Sequence, residues 1–432
     1  MGCAQSTIAV VGRKNKKRII QESVVFVLQF RVPVQSDLQR QLKGVSPKTT
    51  INRLTCLRNQ IELVAEDTGG SAISELRTAL EEYLSLLSGL IKKSSCLQVL
   101  INLNSLVYSN GDIRIFNSTG KDGMEGCVEL KWRTLGDGRR AEICCTNLWM
   151  EMLIVIHMMA ALALTEANSL MIPKDCYASG SGNGVRVVST DCRRDAVDLL
   201  LKASGYLEFC VREILTQLPH DIKSKLPDDM QESVLQTLSI QALGQGTEIQ
   251  LGLAVDSQKA TLSVKRRIAC EQVIYFTQAY HCLSSCEAVS HGCAKKLLRF
   301  IYWKFLEAKV LYVYAAAYYY HGLVTDKGSE PACHLSAVCC FLAAAEILGE
   351  SKKACLSFCL APPVTRAPPM WGVMKHLSQK IPEVAFRKSQ TYGYLLEEEE
   401  KAMQCLPELP DFQLSLRPDD FELPEIEDVS SS

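Results

Sequence analysis

Apolar residues recur along most of this chain at helical spacing, and they switch to short alternating runs only near the front. Over residues 71–91 the apolar positions Leu76, Leu80, Tyr83, Leu84, Leu87 and Leu90 follow a period close to 3.6. The same pattern predicts helices over 38–64, from about 148 to 169, and from Thr190 or Asp191 to Leu218, where Pro219 stops the run. Pro227 suits the first turn of a helix holding Val234, Leu238 and Leu243, although Gly244, Gly246 and Gly252 weaken its later turns. Further helices are expected over 259–285, 294–323, 332–348 and 370–403. Residues 24–34 read as extended. Two runs, 128–134 and 141–147, flank Leu135-Gly136-Asp137-Gly138 and predict a hairpin. From Leu406 prolines dominate, and Asp419, Asp420, Glu422, Glu425, Glu427 and Asp428 make the end acidic. That composition predicts an extended strap followed by disorder.

The pattern therefore predicts a mainly α protein: a small N-terminal β element set among long antiparallel helices that stack pairwise, like an irregular solenoid. The expected division is a basic N-terminal segment over 1–20, one body over 21–425 and a tail over 426–432. A length of 432 residues permits a sizeable core. The net charge of −1 lacks the basicity of a nucleic-acid binder. The 19 cysteines are scattered with no secretory signal before them, so they read as reduced thiols, many buried as small hydrophobes. No membrane-spanning helix is expected. The strongest candidate, 148–164, is interrupted by Glu151 and His157, and a second, 310–324, follows Lys304, Glu307 and Lys309.

The N-terminus carries a different signal. Met1-Gly2-Cys3-Ala4-Gln5-Ser6 fits N-myristoylation at Gly2, with Cys3 placed for a second, reversible palmitoyl chain. One myristoyl chain binds a bilayer only marginally, with a partition constant of roughly 10⁴ M⁻¹, so stable anchoring needs a second signal. Arg13, Lys14, Lys16, Lys17 and Arg18 supply one more, each adding up to about 1 kcal/mol near an anionic leaflet. The expected contact is an anionic membrane surface.

No catalytic constellation is visible. The chain has no Walker loop, no Gly-x-Ser-x-Gly and no His-Glu-x-x-His. Ser179-Gly180-Ser181-Gly182-Asn183-Gly184 has the wrong spacing for a dinucleotide fingerprint and reads as a surface loop. His281, Cys282, Cys286, His291 and Cys293 lack paired Cys-x-x-Cys units, so buried helix thiols are the simpler reading than zinc. Cys339-Cys340 and Cys355 with Cys359 also fit apolar helix faces, and the run Glu397 to Glu400 fits a solvated one. No enzyme, cofactor or metal site is expected.

Several segments, in order, resemble the Bro-one domain family. Leu238-Ser239-Ile240, Glu248-Ile249, Ala269-Cys270-Glu271 and Tyr275-Phe276 are similar to its central helices. Residues 24–33 resemble its opening strand, Glu129-Leu130-Lys131-Trp132 its hairpin, Ala203-Ser204-Gly205-Tyr206-Leu207 one of its helices, and Phe421-Glu422-Leu423-Pro424 its closing strap. The resemblance implies an elongated, curved, tetratricopeptide-like helical domain. It also implies endosomal sorting through the C-terminal amphipathic helix of an ESCRT-III subunit related to charged multivesicular body protein four. Carried across, the family's binding patch falls on Val264 and Ile268, with Leu416 in the strap. Leu251 lies, with Gln250, where the family often has an aromatic, and Lys265, Arg266 and Arg267 adjoin the patch. Val264 and Ile268, four apart on one helix side, equally suit core positions. The absent aromatic at Gln250 departs from the family pattern. The chain ends Ser430-Ser431-Ser432 without a prenylation box, so lone-domain lipidated members are the nearest type, with the anchor at the N-terminus. The competing expectation is a lipid-anchored helical scaffold that binds some other peptide.

Overall fold

The computed structural model describes residues 30–41, 47–65, 70–107, 129–133, 142–145, 147–176, 185–284, 297–361, 377–398 and 406–424. Three short strands, β1 (Pro33–Val34), β2 (Leu130–Arg133) and β3 (Glu142–Cys145), form an antiparallel sheet in sequence order. Trp132 lies opposite Pro33 on one side and Ile143 on the other. Alternation turns Leu130, Trp132, Ile143 and Cys145 toward the core.

The helices are α1 (Leu38–Gln41), α2 (Lys48–Ala65), α3 (Gly70–Val107), α4 (Leu148–Leu170), α5 (Thr190–Phe209), α6 (Leu215–Gln217), α7 (His220–Lys223), α8 (Glu232–Asp256), α9 (Leu262–Ser284), α10 (Leu297–Thr325), α11 (Pro331–Leu360) and α12 (Leu377–Glu398). The long ones pack in series: α2 on α3, α3 on α4, α4 on α5, α5 on α8, then α8 to α12 in order. The result is the expected curved helical solenoid with a small β element near its start.

Boundaries moved for local reasons. The helix expected over 38–64 is instead α1 and α2, with α2 beginning just after Pro47. Ser189, rather than Thr190 or Asp191, caps α5 by accepting from the Cys192 amide. After Phe209 the helix widens through a π turn, Cys210–Ile214, before α6. Pro227 precedes a 3₁₀ turn, Asp228–Met230, and α8 begins only at Glu232. A second hairpin, β4 (Lys174–Cys176) with β5 (Val185–Val187), flanks the glycine-rich segment, whose own residues 177–184 lie outside the described ones.

Glu151, which breaks the apolar run of α4, has a structural task. It is fully buried and receives hydrogen bonds from Arg58 Nη1 (2.5 Å), Tyr83 Oη (2.7 Å) and Trp132 Nε1 (2.7 Å). One carboxylate thus fastens the sheet to α2, α3 and α4, and its charge is compensated as a buried charge must be. His157 is also buried; that desolvation holds its imidazole down to about 4, so it is neutral at pH 7. By length and composition alone α4 and α11 are apolar enough to cross a membrane; 89% of the most apolar stretch of α4 is buried among its neighbours, as in a core helix, against 39% for α11.

Candidate partner-helix site

Residues 406–424 form an extended strap that crosses α9, α8 and α5 in turn. Phe412 sits 5.9 Å from the Arg266 guanidinium. Glu271, 1% exposed, then clamps Ser415, its Oε2 accepting from the Ser415 amide (3.0 Å) and hydroxyl (2.6 Å). The Tyr275 hydroxyl donates to the Leu416 carbonyl at 2.7 Å. Burial, reinforced by the Glu271 carboxylate, pushes the Tyr275 phenol up to about 12, so it remains a donor at neutral pH. Further on, the Asp419 amide donates to the Leu201 carbonyl, and Phe421 meets Tyr206 and Phe209 edge-on at 4.7 and 5.1 Å.

Two glycines let the strap lie low. A Cβ on Gly246 would come within 2.9 Å of Leu416 Cδ1, and one on Gly205 would overlap the Asp419 carbonyl oxygen. Of the glycines that lower helix propensity in α8, Gly246 is needed for the approach of the strap and Gly244 packs closely on Tyr275 and Phe276, and tertiary packing carries the helix through them to Asp256.

On α9, Val264, Ile268, Glu271 and Tyr275 recur at i, i+4, i+7 and i+11, and so share one side of the helix. The strap holds the last two. The first two lie nearer the helix N-terminus: Val264 is 45% exposed, and Ile268 is half-buried against the core. Lys265 is half-buried beside them. Arg267 is exposed, its Nε donating to Glu271 Oε1 at 2.9 Å. Leu416 is half-buried at the strap crossing. Val264, Lys265, Arg267 and Ile268 thus lie in the first two turns of α9, whereas Leu416 meets the same helix about two turns beyond Ile268, at Tyr275.

Leu251 is a correction. It is 1% exposed inside the α8 core and offers no surface to a partner. The α8 positions facing outward near it are Gln250 and Leu253, both half-buried. Gly2, Cys3, Arg13, Lys14, Lys16, Lys17 and Arg18 lie outside the described residues.

Sequence reasoning missed the strap's anchors, Glu271 and Tyr275, and an open pocket beyond the strap. That pocket, of about 410 Å³, is walled by Ile240, Leu243, Tyr275, Leu414 and Leu416, with Gln278 and Arg417 among its polar lining. A glutamate inside the otherwise apolar Ala269-Cys270-Glu271 run was the available signal for a buried acceptor. Among the described residues no group of three or more His, Cys, Asp or Glu side chains is placed to hold a metal ion. His281 is exposed and Cys282 half-buried on α9, while Cys286, His291 and Cys293 lie outside the described residues.

A stacked helical body with its own C-terminal segment laid across α9, α8 and α5 defines the class as a strapped helical solenoid. Comparison with known proteins makes the class specific. Residues 117–383 match the BRO1-like domain, and the chain belongs to that family. Among solved structures it resembles the complex of the ALIX BRO1 domain with CHMP4C, at 14% identity and a TM-score of 0.61, over 95% of this chain and 99% of that one. It also resembles ALIX bound to the SIVmac239 late-domain peptide PYKEVTEDL, at 14% identity and a TM-score of 0.60, over 94% of this chain and 50% of that one. A third likeness is a Bro1 domain studied as a basis for endosomal targeting, at 12% identity and a TM-score of 0.55, over 93% of each chain. At these identities the likenesses establish the fold. No curated protein sequence matches the chain.

Proposed function

We propose that this chain is a non-enzymatic, membrane-anchored adaptor of endosomal sorting. It takes the C-terminal amphipathic helix of an ESCRT-III subunit onto Val264, Ile268 and Leu416. The observation that carries this reading is the unfilled end of the α9 stripe. Its C-terminal half already grips an extended segment through Glu271 and Tyr275, while Val264 remains 45% exposed beside a half-buried Ile268. An exposed valine continuous with a half-buried isoleucine supplies the few apolar anchors from which helix-in-groove binding draws most of its energy. Lys265 and Arg267 flank the anchors and favour a partner with acidic positions. Family membership, and a fold shared with an ALIX domain in complex with CHMP4C, support an ESCRT-III subunit as that partner.

The adaptor body spans residues 21–425. Gly2 and Cys3 carry the acyl chains, and Arg13, Lys14, Lys16, Lys17 and Arg18 hold the segment against anionic lipid. This places the protein on the cytoplasmic face of endosomal or plasma membranes, with a cytosolic fraction. Purified full-length protein should retain immobilised ESCRT-III C-terminal peptides. Failure to retain any of them would favour a scaffold for other peptides. Gly2→Ala should shift the protein from the membrane to the soluble fraction of a cell lysate; equal fractionation of variant and parent would remove the acyl anchor from the account.

A further inference from the structure

We propose that Ser415 is a phosphorylation site, and that a phosphoryl group on it unlatches the strap from α9. This rests on the geometry of the strap alone and stands apart from the reading of Val264 and Ile268. Three observations support it.

The first is placement. Ser415 is exposed, in an extended segment that joins no sheet. Side chains rather than a strand ladder hold that segment: Glu271 takes the Ser415 amide, and the Tyr275 hydroxyl takes the Leu416 carbonyl. A segment held by so few bonds opens more readily than the helices beneath it. The second is the partner of the hydroxyl. Ser224 and Ser389 donate to main-chain carbonyls three residues back. The Ser415 hydroxyl instead donates to Glu271 Oε2 at 2.6 Å. Glu271 is 1% exposed, so its carboxylate cannot swing aside into water.

The third is charge. A protein kinase moves the γ-phosphoryl group of ATP to the serine Oγ. The Oγ–P bond forms as the bridging oxygen–Pγ bond breaks, the hydroxyl proton is lost and ADP leaves. The donor that Oγ offered Glu271 is then gone. In its place stands a group of about −1.5 to −2 charge at pH 7, whose oxygens accept. Beside a carboxylate held out of water, that repulsion is weakly screened. Arg267 bonds the other Glu271 oxygen, but one half-exposed cation cannot balance a carboxylate and a phosphate together. Arg266 is engaged at Phe412. Arg417 travels with the strap, so it can pair with the phosphate in the open state as well as the closed one, and it favours neither. Opening and modification therefore reinforce each other. The hydroxyl reaches a kinase when its bond to Glu271 breaks, and the phosphorylated strap does not reclose. Its release takes Leu414 and Leu416 away from α8 and α9 and uncovers Ile240, Leu243 and Gly246.

The test compares full-length chains with serine or genetically encoded phosphoserine at position 415, each with Glu271 or with Glu271→Gln, by hydrogen exchange of the strap. Beside Glu271, phosphoserine should accelerate exchange over 413–417 by about a hundredfold or more, with α4 unchanged. Beside Glu271→Gln, whose neutral amide can donate to the phosphate, the same modification should alter exchange by less than about threefold. Chain recovered from eukaryotic cells treated with a phosphatase inhibitor should carry phosphate on Ser415 by mass spectrometry, at higher occupancy in Glu271→Ala, whose strap is open. Exchange that phosphoserine leaves within about threefold of the parent overturns the latch. Equal acceleration in both backgrounds makes the effect steric and overturns the charge argument. Absence of phosphate from Ser415 in both cellular chains overturns the site.

Discussion

Replacing Glu271 by alanine should release the strap while leaving the solenoid folded. The carboxylate accepts two hydrogen bonds from Ser415, one from the amide at 3.0 Å and one from the hydroxyl at 2.6 Å. Hydrogen bonds to a charged group contribute about 1.5–3 kcal/mol each. Ser415 is exposed, so its freed donors rehydrate, and the lower figure applies to each. The Arg267 pair adds little, because Arg267 is about half exposed. The expected loss is therefore about 3 kcal/mol of local stability. At 1.4 kcal/mol per tenfold, amide exchange around Ser415 and Leu416 should accelerate by roughly a hundredfold. Hydrogen exchange read by mass spectrometry resolves this, with peptides from α4 as the internal control. Because Leu416 leaves with the strap, affinity for the partner helix should fall in the same variant. Unchanged exchange over 413–417 would refute the clamp. Equal acceleration in α4 would show that Glu271 supports the core instead.

Two further outcomes follow from buried charge. Lys309 and Glu248 pair at 2.9 Å, each 1% exposed. Glu248→Ala strands the ammonium and should cost about 3–5 kcal/mol, read as a lower urea midpoint, whereas Glu248→Leu combined with Lys309→Met should recover most of it. Buried His157 has a pKa of about 4 against about 6.5 when unfolded, so between these values the unfolded chain binds the extra proton. Its penalty is absent above pH 6.5 and grows as pH falls to 4, to about 3 kcal/mol. His157→Leu should flatten the urea-midpoint slope between pH 6.5 and 4; an unaltered slope would assign it to other groups.

Much of the architecture was legible because long helices repeat one signal many times. The stripe over 71–91 is part of α3, and the two runs expected to pair as a hairpin contain β2 and β3, which do pair, with residues 134–141 between them outside the described ones. What escaped the sequence depends on partners far along the chain. Glu151 reads as an interruption of an apolar run, until Arg58, Tyr83 and Trp132 converge on it. Gly246 reads as a weak helix position, until the strap arrives across it from 170 residues away. The π turn at Cys210 has no local signature, since Cys210-Val211-Arg212-Glu213-Ile214 is an ordinary helical composition. At the candidate site, i+4 spacing placed Val264 and Ile268 on one side of α9 but said nothing of solvent. Leu251 had equal apolar character, and only the packing of α8 shows it to be core.

The central claim is that the open end of the α9 stripe is a docking surface and not merely core. Ile268→Asp tests it most directly. The substitution places a carboxylate in an apolar contact, at a cost of several kcal/mol to the complex. The dissociation constant for the ESCRT-III C-terminal peptide should rise about a hundredfold or more, with circular dichroism retained and the urea midpoint lowered only in part, because Ile268 is half-buried against the core. Unfolding of Ile268→Asp would make the residue core, and a folded variant with parental affinity would place the groove elsewhere; either result contradicts the account.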